Sequence, residues 1–142
     1  MLAQMLYVST AVGPVTTAVT GTILRSAQAF NANNGITGVL CQGQGVWLQV
    51  LEGKRSEIDA LYGRIAADRR HTNVQMLGFE DITKRRYGAW AMAHVDMTGA
   101  DPLLEVSLSS TALDPYSASR ERVMARIDSL IAAGKVMGKP VA

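Results

Sequence analysis

The stretch Asn31–Gly53, NANNGITGVLCQGQGVWLQVLEG, holds most of the information that decides the fold. It combines a helix end, a turn and two strand-like runs joined by a short glycine-rich hairpin. Two amides, Asn31 and Gln49, stand in it where the periodicity predicts apolar residues. Burying an amide without partners costs several kcal/mol, so we expect something inside the fold to hydrogen-bond both.

Each amide has an ordinary alternative explanation. Residues 17–31 have the spacing of a helix whose inward stripe ends at Asn31, where the asparagine is either buried or a C-terminal cap. In the run 46–52, Gln49 shares its face with Trp47 and Leu51. Because a surface glutamine usually has polar neighbours on its face, this pattern favours a buried, hydrogen-bonded Gln49.

The other regular elements follow from alternation and from helical periodicity. Strands are expected at 4–10, 36–42, 46–52, 74–80 and 87–95. A second helix is expected at 56–68, with Ser56 as its N-cap. Alternation places Met5, Tyr7 and Ser9 on one face of the first strand and Leu6 and Val8 on the other, and it places Trp90 and Met92 on one face of the fifth strand.

The texture changes near residue 98, so two regions are predicted, 1–97 and 98–142. Residues 98–113 are polar, and Asp114-Pro115 is typical of a helix start. The helix, 115–133, carries an amphipathic stripe and ends before Gly134. The order βαββαββ with a helical cap predicts an α+β, ferredoxin-like sandwich with a five-stranded mixed sheet. Its first and third strands lie side by side, so Tyr7 and Gln49 meet beneath the two helices.

The composition favours an ordinary globular protein of one core. The 142 residues are 48% hydrophobic and 18% charged, with a net charge of +2, which is too small to suggest nucleic acid as a partner. No apolar run long enough for a membrane span and no signal peptide is evident, so we expect a cytoplasmic location and no membrane partner. The single cysteine, Cys41, excludes an intrachain disulfide and is most simply a small core residue. No metal site is expected.

Five pieces of the chain, over about residues 3–96, occur together in the order and spacing of one family. The pieces are Tyr7-Val-Ser9; Asn31 followed by Gly35-Ile36-Thr37-Gly38; Gln49-Val50-Leu51-Glu52-Gly53; Asp68-Arg-Arg70-His71; and Arg85, Tyr87, Trp90 and Met92 in one run. Each piece is weak alone, but together they are specific, and the chain resembles a BLUF domain, a blue-light sensor that uses a flavin.

The resemblance implies a photoreceptor that is not an enzyme, with FAD, or alternatively FMN, between the two helices. Tyr7 would give an electron and a proton to the excited flavin, and the Gln49 amide would rotate or tautomerise. Asn31 would bind the polar edge of the ring, and Trp90 and Met92 are the alternatives for the strand-five residue that faces the flavin. The residues expected at the cofactor are Tyr7, Ser9, Ile23, Asn31, Gln49, Arg64, Asp68 and His71; the photoactive set is Tyr7, Gln49, Trp90 and Met92.

The chain departs from the family pattern at four positions. Phe30 stands where many relatives have Asn or His, and Gln28 replaces a frequent basic residue. Trp47 and Tyr87 each stand where Phe is usual, and Trp47 offers a competing electron donor. None of the four changes Tyr7, Gln49 or Asn31.

The output is expected to run through strand five and the C-terminal helix to an unknown partner protein, in a homo-oligomer. A flavin-dependent oxidoreductase is the alternative, although no GxGxxG motif, redox cysteine or spare acid–base pair supports it. A third hypothesis, a cofactor-free binding domain, predicts a colourless protein.

Overall fold

The computed structural model describes residues 2–43, 45–97, 116–132 and 136–137. Gln44 of the hairpin, the polar stretch 98–113, the proposed helix start Asp114-Pro115 and Gly134 lie outside the described residues. The elements, in chain order, are β1 Leu2–Ala11, α1 Thr17–Asn34, β2 Thr37–Gly43, β3 Val46–Lys54, α2 Arg55–Ala66, β4 His71–Ile82, β5 Ala93–Asp96, α3 Arg120–Ala132 and β6 Val136–Met137.

The strands form one mixed sheet in the order β4-β1-β3-β2-β5-β6. Only β2 and β5 pair in parallel, and the other neighbours are antiparallel. This arrangement confirms the ferredoxin-like α+β fold, with β1 and β3 adjacent in its middle. The sequence predicted five strands; the two-residue β6, which pairs with β5, was not predicted because two residues carry no alternation to detect.

Alternate residues of the strands supply two separate cores, one on each face of the sheet. The pocket face, covered by α1 and α2, buries Met5, Tyr7, Ile36, Leu40, Trp47, Leu51, Ile58 and Met92. The α3 face buries Leu6, Val8, Val39, Cys41, Leu48 and Val50 beneath Val123, Met124, Ile127 and Leu130 of α3. The predicted division of the first strand is therefore confirmed, and Cys41 is a core residue.

The ends of α1 are set by local hydrogen bonds. Thr16 caps its N-terminus by accepting from the backbone N–H of Val19 at 3.2 Å. Gly35 ends it in the left-handed conformation, with φ of 64°, which glycine adopts without strain. The helix thus continues to Asn34, three residues beyond the predicted end. Gly35 rather than Asn31 is the cap residue, and the side chain of Asn31 is buried.

Helix α2 begins and ends earlier than predicted. Lys54 occupies its N-cap position without a side-chain hydrogen bond, so Ser56, which lies inside the helix, is not the cap. The last helical residue is Ala66. Asp68, the last residue of the predicted helix, therefore belongs to the turn that leads into β4, whereas Arg64 lies within α2.

Two C-terminal predictions are wrong. The fifth strand was expected at 87–95, but only Ala93–Asp96 pair with β2, and the preceding residues form an irregular segment. Tyr116–Ser119 are not helical, and α3 starts at Arg120. Ser119 is its cap, since its backbone oxygen accepts from Val123 at 3.1 Å and its hydroxyl from Arg122 at 3.2 Å. A serine cap is as favourable as the aspartate cap that the sequence suggested.

Within the described ranges, no helix combines the length and the apolar character that crossing a membrane requires.

Candidate functional site

A cavity of about 200 Å³ lies between α1 and α2 above the pocket face of the sheet. All of the predicted cofactor-binding residues except Ser9 line it, namely Tyr7, Ile23, Asn31, Gln49, Arg64, Asp68 and His71. Strands β1 and β3 form its floor and the two helices its walls. Side chains from β1, β2, β3, β4, α1, α2 and one turn thus converge on one space, as in small-molecule pockets generally.

The floor of the cavity holds a buried phenol–amide pair. Tyr7 and Gln49 stand directly opposite each other in the β1–β3 register. Only 3% of Tyr7 and 5% of Gln49 is exposed. The Tyr7 hydroxyl donates to Oε1 of Gln49. On the other side of the amide, Nε2 donates to the Met92 sulfur at 3.4 Å. An amide N carries two hydrogens, so the second is available to an acceptor in the cavity.

The surroundings of Tyr7 keep its hydroxyl protonated. Burial raises the pKa of Tyr7 far above its ordinary value of 10.0, and the negative charge of Asp68 and the neighbouring Tyr62 raise the pKa further. Tyr62 approaches the Tyr7 ring edge-on, with centroids 6.0 Å apart. The phenol is therefore a neutral donor at every physiological pH, and it parts with its proton only if something else first makes it more acidic.

Asn31 presents a buried acceptor to the cavity. Its side chain is 1% exposed, and its Nδ2 donates to the backbone oxygen of Ala91 at 2.8 Å. Its Oδ1 is buried and has no hydrogen-bond partner among the described residues. Because an unsatisfied buried carbonyl is costly, this atom indicates a ligand N–H that is supplied from outside the chain.

The mouth of the cavity is cationic. Arg70 donates through Nε to both Asp68 oxygens at 3.0 Å, and the turn is closed by the Arg70 backbone N–H to Asp68 Oδ1 at 2.9 Å. The side-chain hydrogen bond from Arg70 holds the pKa of Asp68 below its ordinary value. Arg64 instead lies over the Phe30 ring, 4.7 Å from its centroid. Asp68 is thus paired with Arg70 and not with Arg64.

His71 connects the mouth to the floor. Its Nε2 lies 2.5 Å from the backbone oxygen of Ile65, and its Nδ1 lies 2.8 Å from the Ser9 hydroxyl. A carbonyl only accepts, so Nε2 carries the proton, and in the neutral ring Nδ1 accepts from Ser9. Ser9 therefore acts beneath the cavity, as the support of His71, rather than as part of its lining.

Trp90 and Met92 face opposite sides of the sheet. Met92 is fully buried in the pocket-face core, beside Gln49. Trp90 packs against the α3-face core and stacks on Tyr87, with centroids 6.4 Å apart. The predicted shared face is wrong because residues 87–92 are not a strand, so alternation does not apply to them. Of the two alternatives, Met92 is the residue on the pocket side.

Two contributors were missing from the predicted site. Arg70 was noticed only as part of a motif, although its position two residues after an aspartate is typical of an Asx turn. Gln28, noted only as a departure, donates through Nε2 to the backbone oxygen of Met92 at 3.1 Å. No local pattern predicts that bond, because 64 residues separate its partners.

The cavity fits a flat aromatic ligand with one polar edge, as the isoalloxazine ring of a flavin is. Apolar side chains such as Ile23, Leu40 and Ile65 supply the walls. The orphan Asn31 oxygen and the spare Gln49 N–H match a ring edge that both donates and accepts. The enclosed volume lies below the roughly 300–1,000 Å³ of whole-ligand pockets, so a ribityl chain and phosphates would extend past the cationic mouth.

Comparisons with known proteins agree. Residues 2–93 match the family BLUF, "Sensors of blue-light using FAD". The photoactivated adenylate cyclase subunit beta of Euglena gracilis is 33% identical over 114 residues, covering 78% of this chain. The match covers 13% of that relative, so the chain spans about an eighth of its length.

Solved structures give the same result. The dark-state structure of the BLUF protein BlrB has a TM-score of 0.75 at 29% identity, covering 94% of this chain and 96% of that one. A bacterial light-regulated adenylyl cyclase has a TM-score of 0.75 at 30% identity, covering 89% of this chain and 36% of its own. The ground state of BlsA, at 24% identity, shares the fold, with a TM-score of 0.78.

Proposed function

Because this chain belongs to the BLUF family and is a flavin-dependent blue-light photoreceptor, we propose that Tyr7 and Gln49 form its light-operated switch. The observation that carries the proposal is the buried set of three polar side chains, Tyr7, Gln49 and Asn31, around one cavity. Two of the three have hydrogen-bonding capacity left for a ligand, and the third, Tyr7, is held in its neutral form.

The proposed switch uses the two unlike ends of the Gln49 amide. In the present arrangement Oε1 accepts from the Tyr7 hydroxyl and Nε2 donates to Met92. Rotating the amide by half a turn exchanges donor and acceptor in nearly the same volume. Nε2 then donates to Tyr7, and Oε1 faces Met92, whose sulfur cannot donate. The two arrangements are separate states with different hydrogen bonds to the cavity, as a two-state sensor requires.

Tyr7 supplies the trigger for that rotation. A flavin held by Asn31 and Gln49 would supply absorption of blue light and, in its excited state, an acceptor for one electron and one proton. Tyr7 gives up an electron and its hydroxyl proton, which removes the hydrogen bond that holds the Gln49 oxygen in place. The amide is then free to rotate before Tyr7 regains both. Substrate turnover has no part in this cycle, so the function is sensing.

We propose FAD as the cofactor, with FMN as the alternative. Asn31 Oδ1 would accept from the ring, and Gln49 would donate to it. Arg64, Arg70 and His71 stand at the mouth, where a ribityl chain and phosphates leave the cavity. Guanidinium groups suit phosphate because they donate in a fixed planar fork. The family description supports FAD, whereas no described residue reads an adenine.

The output is proposed to pass through β5 and α3 to a separate partner protein, in a homo-oligomer. The named relatives include subunits of photoactivated adenylate cyclases, and the match covers only a small part of them. We therefore propose that this chain senses light and that any enzymatic activity belongs to its partner. The location proposed for it is the cytoplasm, without nucleic-acid or membrane partners.

A light-minus-dark absorption spectrum of the purified protein tests the proposal. The expected result is a reversible small red shift of the flavin band. Tyr7→Phe and Gln49→Leu should each abolish the shift while flavin stays bound. Gln42→Leu makes the same substitution one strand away, outside the cavity, and should leave the shift intact.

Two outcomes would contradict the proposal. A normal shift in Tyr7→Phe would remove Tyr7 from the switch. Rapid bleaching of the flavin by NADPH in the dark would favour an oxidoreductase instead.

A further inference from the structure

Glu52 is a fully buried carboxylate that the light switch does not use. It lies in β3, three residues after Gln49, on the α3 face, and none of its surface is exposed. Its Oε2 accepts from Gln4 Nε2 at 2.9 Å and from the backbone N–H of Arg86 at 2.9 Å, and its Oε1 accepts from the backbone N–H of Tyr87 at 2.7 Å. A buried carboxylate is tolerated only when it is hydrogen-bonded in this way.

Two of the three groups that donate to Glu52, the backbone N–H groups of Arg86 and Tyr87, belong to an irregular stretch, Arg85–Met92, here called the bridging segment. Its first residue, Arg85, donates to the backbone oxygens of Glu52 at 2.9 Å and Gly35 at 2.7 Å. The beginning of the bridging segment is therefore held by one buried carboxylate and by the end of α1, without belonging to a strand.

The other end of the bridging segment accepts hydrogen bonds from side chains of the site and of α1. Ala91 O accepts from Asn31 at 2.8 Å, and Met92 O accepts from Gln28 at 3.1 Å. The Met92 sulfur is the acceptor for Gln49 Nε2. Whatever moves this segment therefore moves two groups that hold the site in its present hydrogen-bonding arrangement.

The bridging segment also contacts α3 through two side chains. The Tyr87 hydroxyl donates to Asp128 Oδ1 at 2.8 Å, and the Arg86 guanidinium forms an ion pair with the other oxygen of Asp128. At the start of α3, Arg120 donates to Gln4 Oε1 at 3.0 Å and pairs with Glu80. Because Gln4 in turn donates to Glu52, a closed ring of contacts runs from Glu52 through Gln4 to α3, and back through Asp128 and the bridging segment.

We infer that Glu52 and Asp128 are positioning residues that couple the placement of α3 to the orientation of the Gln49 amide, through the bridging segment. The inference rests on the proposed function, because it needs two orientations of Gln49. A coupling free energy acts equally in both directions. If rotation of the amide weakens the contacts between the bridging segment and α3, then removing those contacts disfavours the return of the amide to its dark arrangement.

The test is the rate of dark recovery after illumination, on the full chain with FAD bound. Asp128→Ala removes the contacts of Asp128 with Arg86 and Tyr87. The Asp128 side chain is 35% exposed, so the fold should tolerate the change. If these contacts re-form as the amide returns to its dark arrangement, their loss raises the barrier to recovery. We therefore expect recovery about fivefold slower than in the wild type, a factor that matches the lower end of typical coupling free energies. Ser129→Ala, the next residue and an exposed one, is the control and should recover at the wild-type rate.

Amide hydrogen exchange gives a second result that does not depend on the flavin spectrum. The backbone N–H groups of Arg86 and Tyr87 should exchange faster in light than in dark, and faster in Glu52→Gln than in the wild type. If Glu52→Gln fails to fold, Asp128→Ala alone tests the coupling, because contacts that only stabilise the fold would not change the rate of dark recovery.

The outcomes separate the two ideas. A normal red shift with recovery in Asp128→Ala within about twofold of wild type overturns the coupling and leaves the photoreceptor proposal standing. The absence of any shift in the wild type overturns both. A normal shift with slowed recovery in Asp128→Ala, but not in Ser129→Ala, supports the coupling.

Discussion

The two faces of the sheet are built by alternate residues of the same strands, but they bury different things. The α3 face is filled mainly by apolar side chains, and its polar groups, such as the fully buried Glu52 and the partly exposed Asp128, are hydrogen-bonded to other groups of the chain. The pocket face buries a phenol and two amides and keeps a cavity among them. One face is thus closed and anchors the fold, while the other keeps hydrogen bonds available for a ligand.

The two faces therefore contribute differently to the stability of the folded protein. A filled core stabilises the protein through each buried group, whereas a site with an unpaired oxygen such as Asn31 Oδ1 carries a cost until its ligand binds. We therefore expect substitutions of the apolar residues on the α3 face to act mainly on unfolding, and substitutions on the pocket face mainly on flavin binding and on light response.

The largest effect is expected on the α3 face. Ile127 of α3 is fully buried, so Ile127→Ala should lower the free energy of unfolding by about 3 kcal/mol, from lost burial and the cavity left behind. Urea unfolding measures it, with the exposed Arg122→Ala on the same helix as the control. A loss under about 1 kcal/mol would mean that α3 does not belong to the core.

An intermediate effect is expected on the pocket face. Asn31→Ala removes the orphan acceptor, so flavin should bind about tenfold more weakly, with a smaller change in the free energy of unfolding of the flavin-free chain. Fluorescence titration of the flavin-free protein measures the affinity. Asn33→Ala, at an exposed position of the same helix, should bind as the wild type does. If Asn31→Ala and Asn33→Ala bound flavin with equal affinity, the buried amide of the pocket face would have no special part in flavin binding.

The smallest effect is expected at the mouth of the cavity. Asp68 and Arg70 form a partly exposed pair, so Asp68→Asn should cost about 0.5 kcal/mol of stability at neutral pH. The folded-state pKa of Asp68 is depressed, so its contribution is complete above the unfolded pKa and is lost as the pH falls through the folded pKa.

The stabilities of the two proteins, wild type and Asp68→Asn, should therefore converge as the pH falls below the ordinary carboxyl value of 3.8, and become equal below the depressed folded-state pKa of Asp68. Urea unfolding at neutral pH and in that acid range measures the convergence. A difference that persists unchanged in acid would show that the charge of Asp68 contributes nothing.

Much of the site was predictable from local pattern. Gln49 between Trp47 and Leu51 was expected to be buried, and for Asn31 at the end of an apolar stripe burial was one of two alternatives; both side chains are buried. The fifth strand and the start of α3 were misjudged, because β-prone residues at 87–92 and an Asp-Pro pair are only local signals. The bridging segment takes its path from Glu52, Asn31 and Gln28, which are distant in sequence.

Local periodicity was enough to predict the order of the first seven elements and the division of the side chains of β1 and β3 between two faces, since periods of 2 and 3.6 are properties of the local backbone. The long-range details needed the folded structure: the exact register that sets Tyr7 opposite Gln49, the position of Met92 rather than Trp90 beside the amide, and the hydrogen bonds by which Glu52 holds the bridging segment. Those facts depend on pairing between residues tens of positions apart, and local periodicity does not encode such pairing.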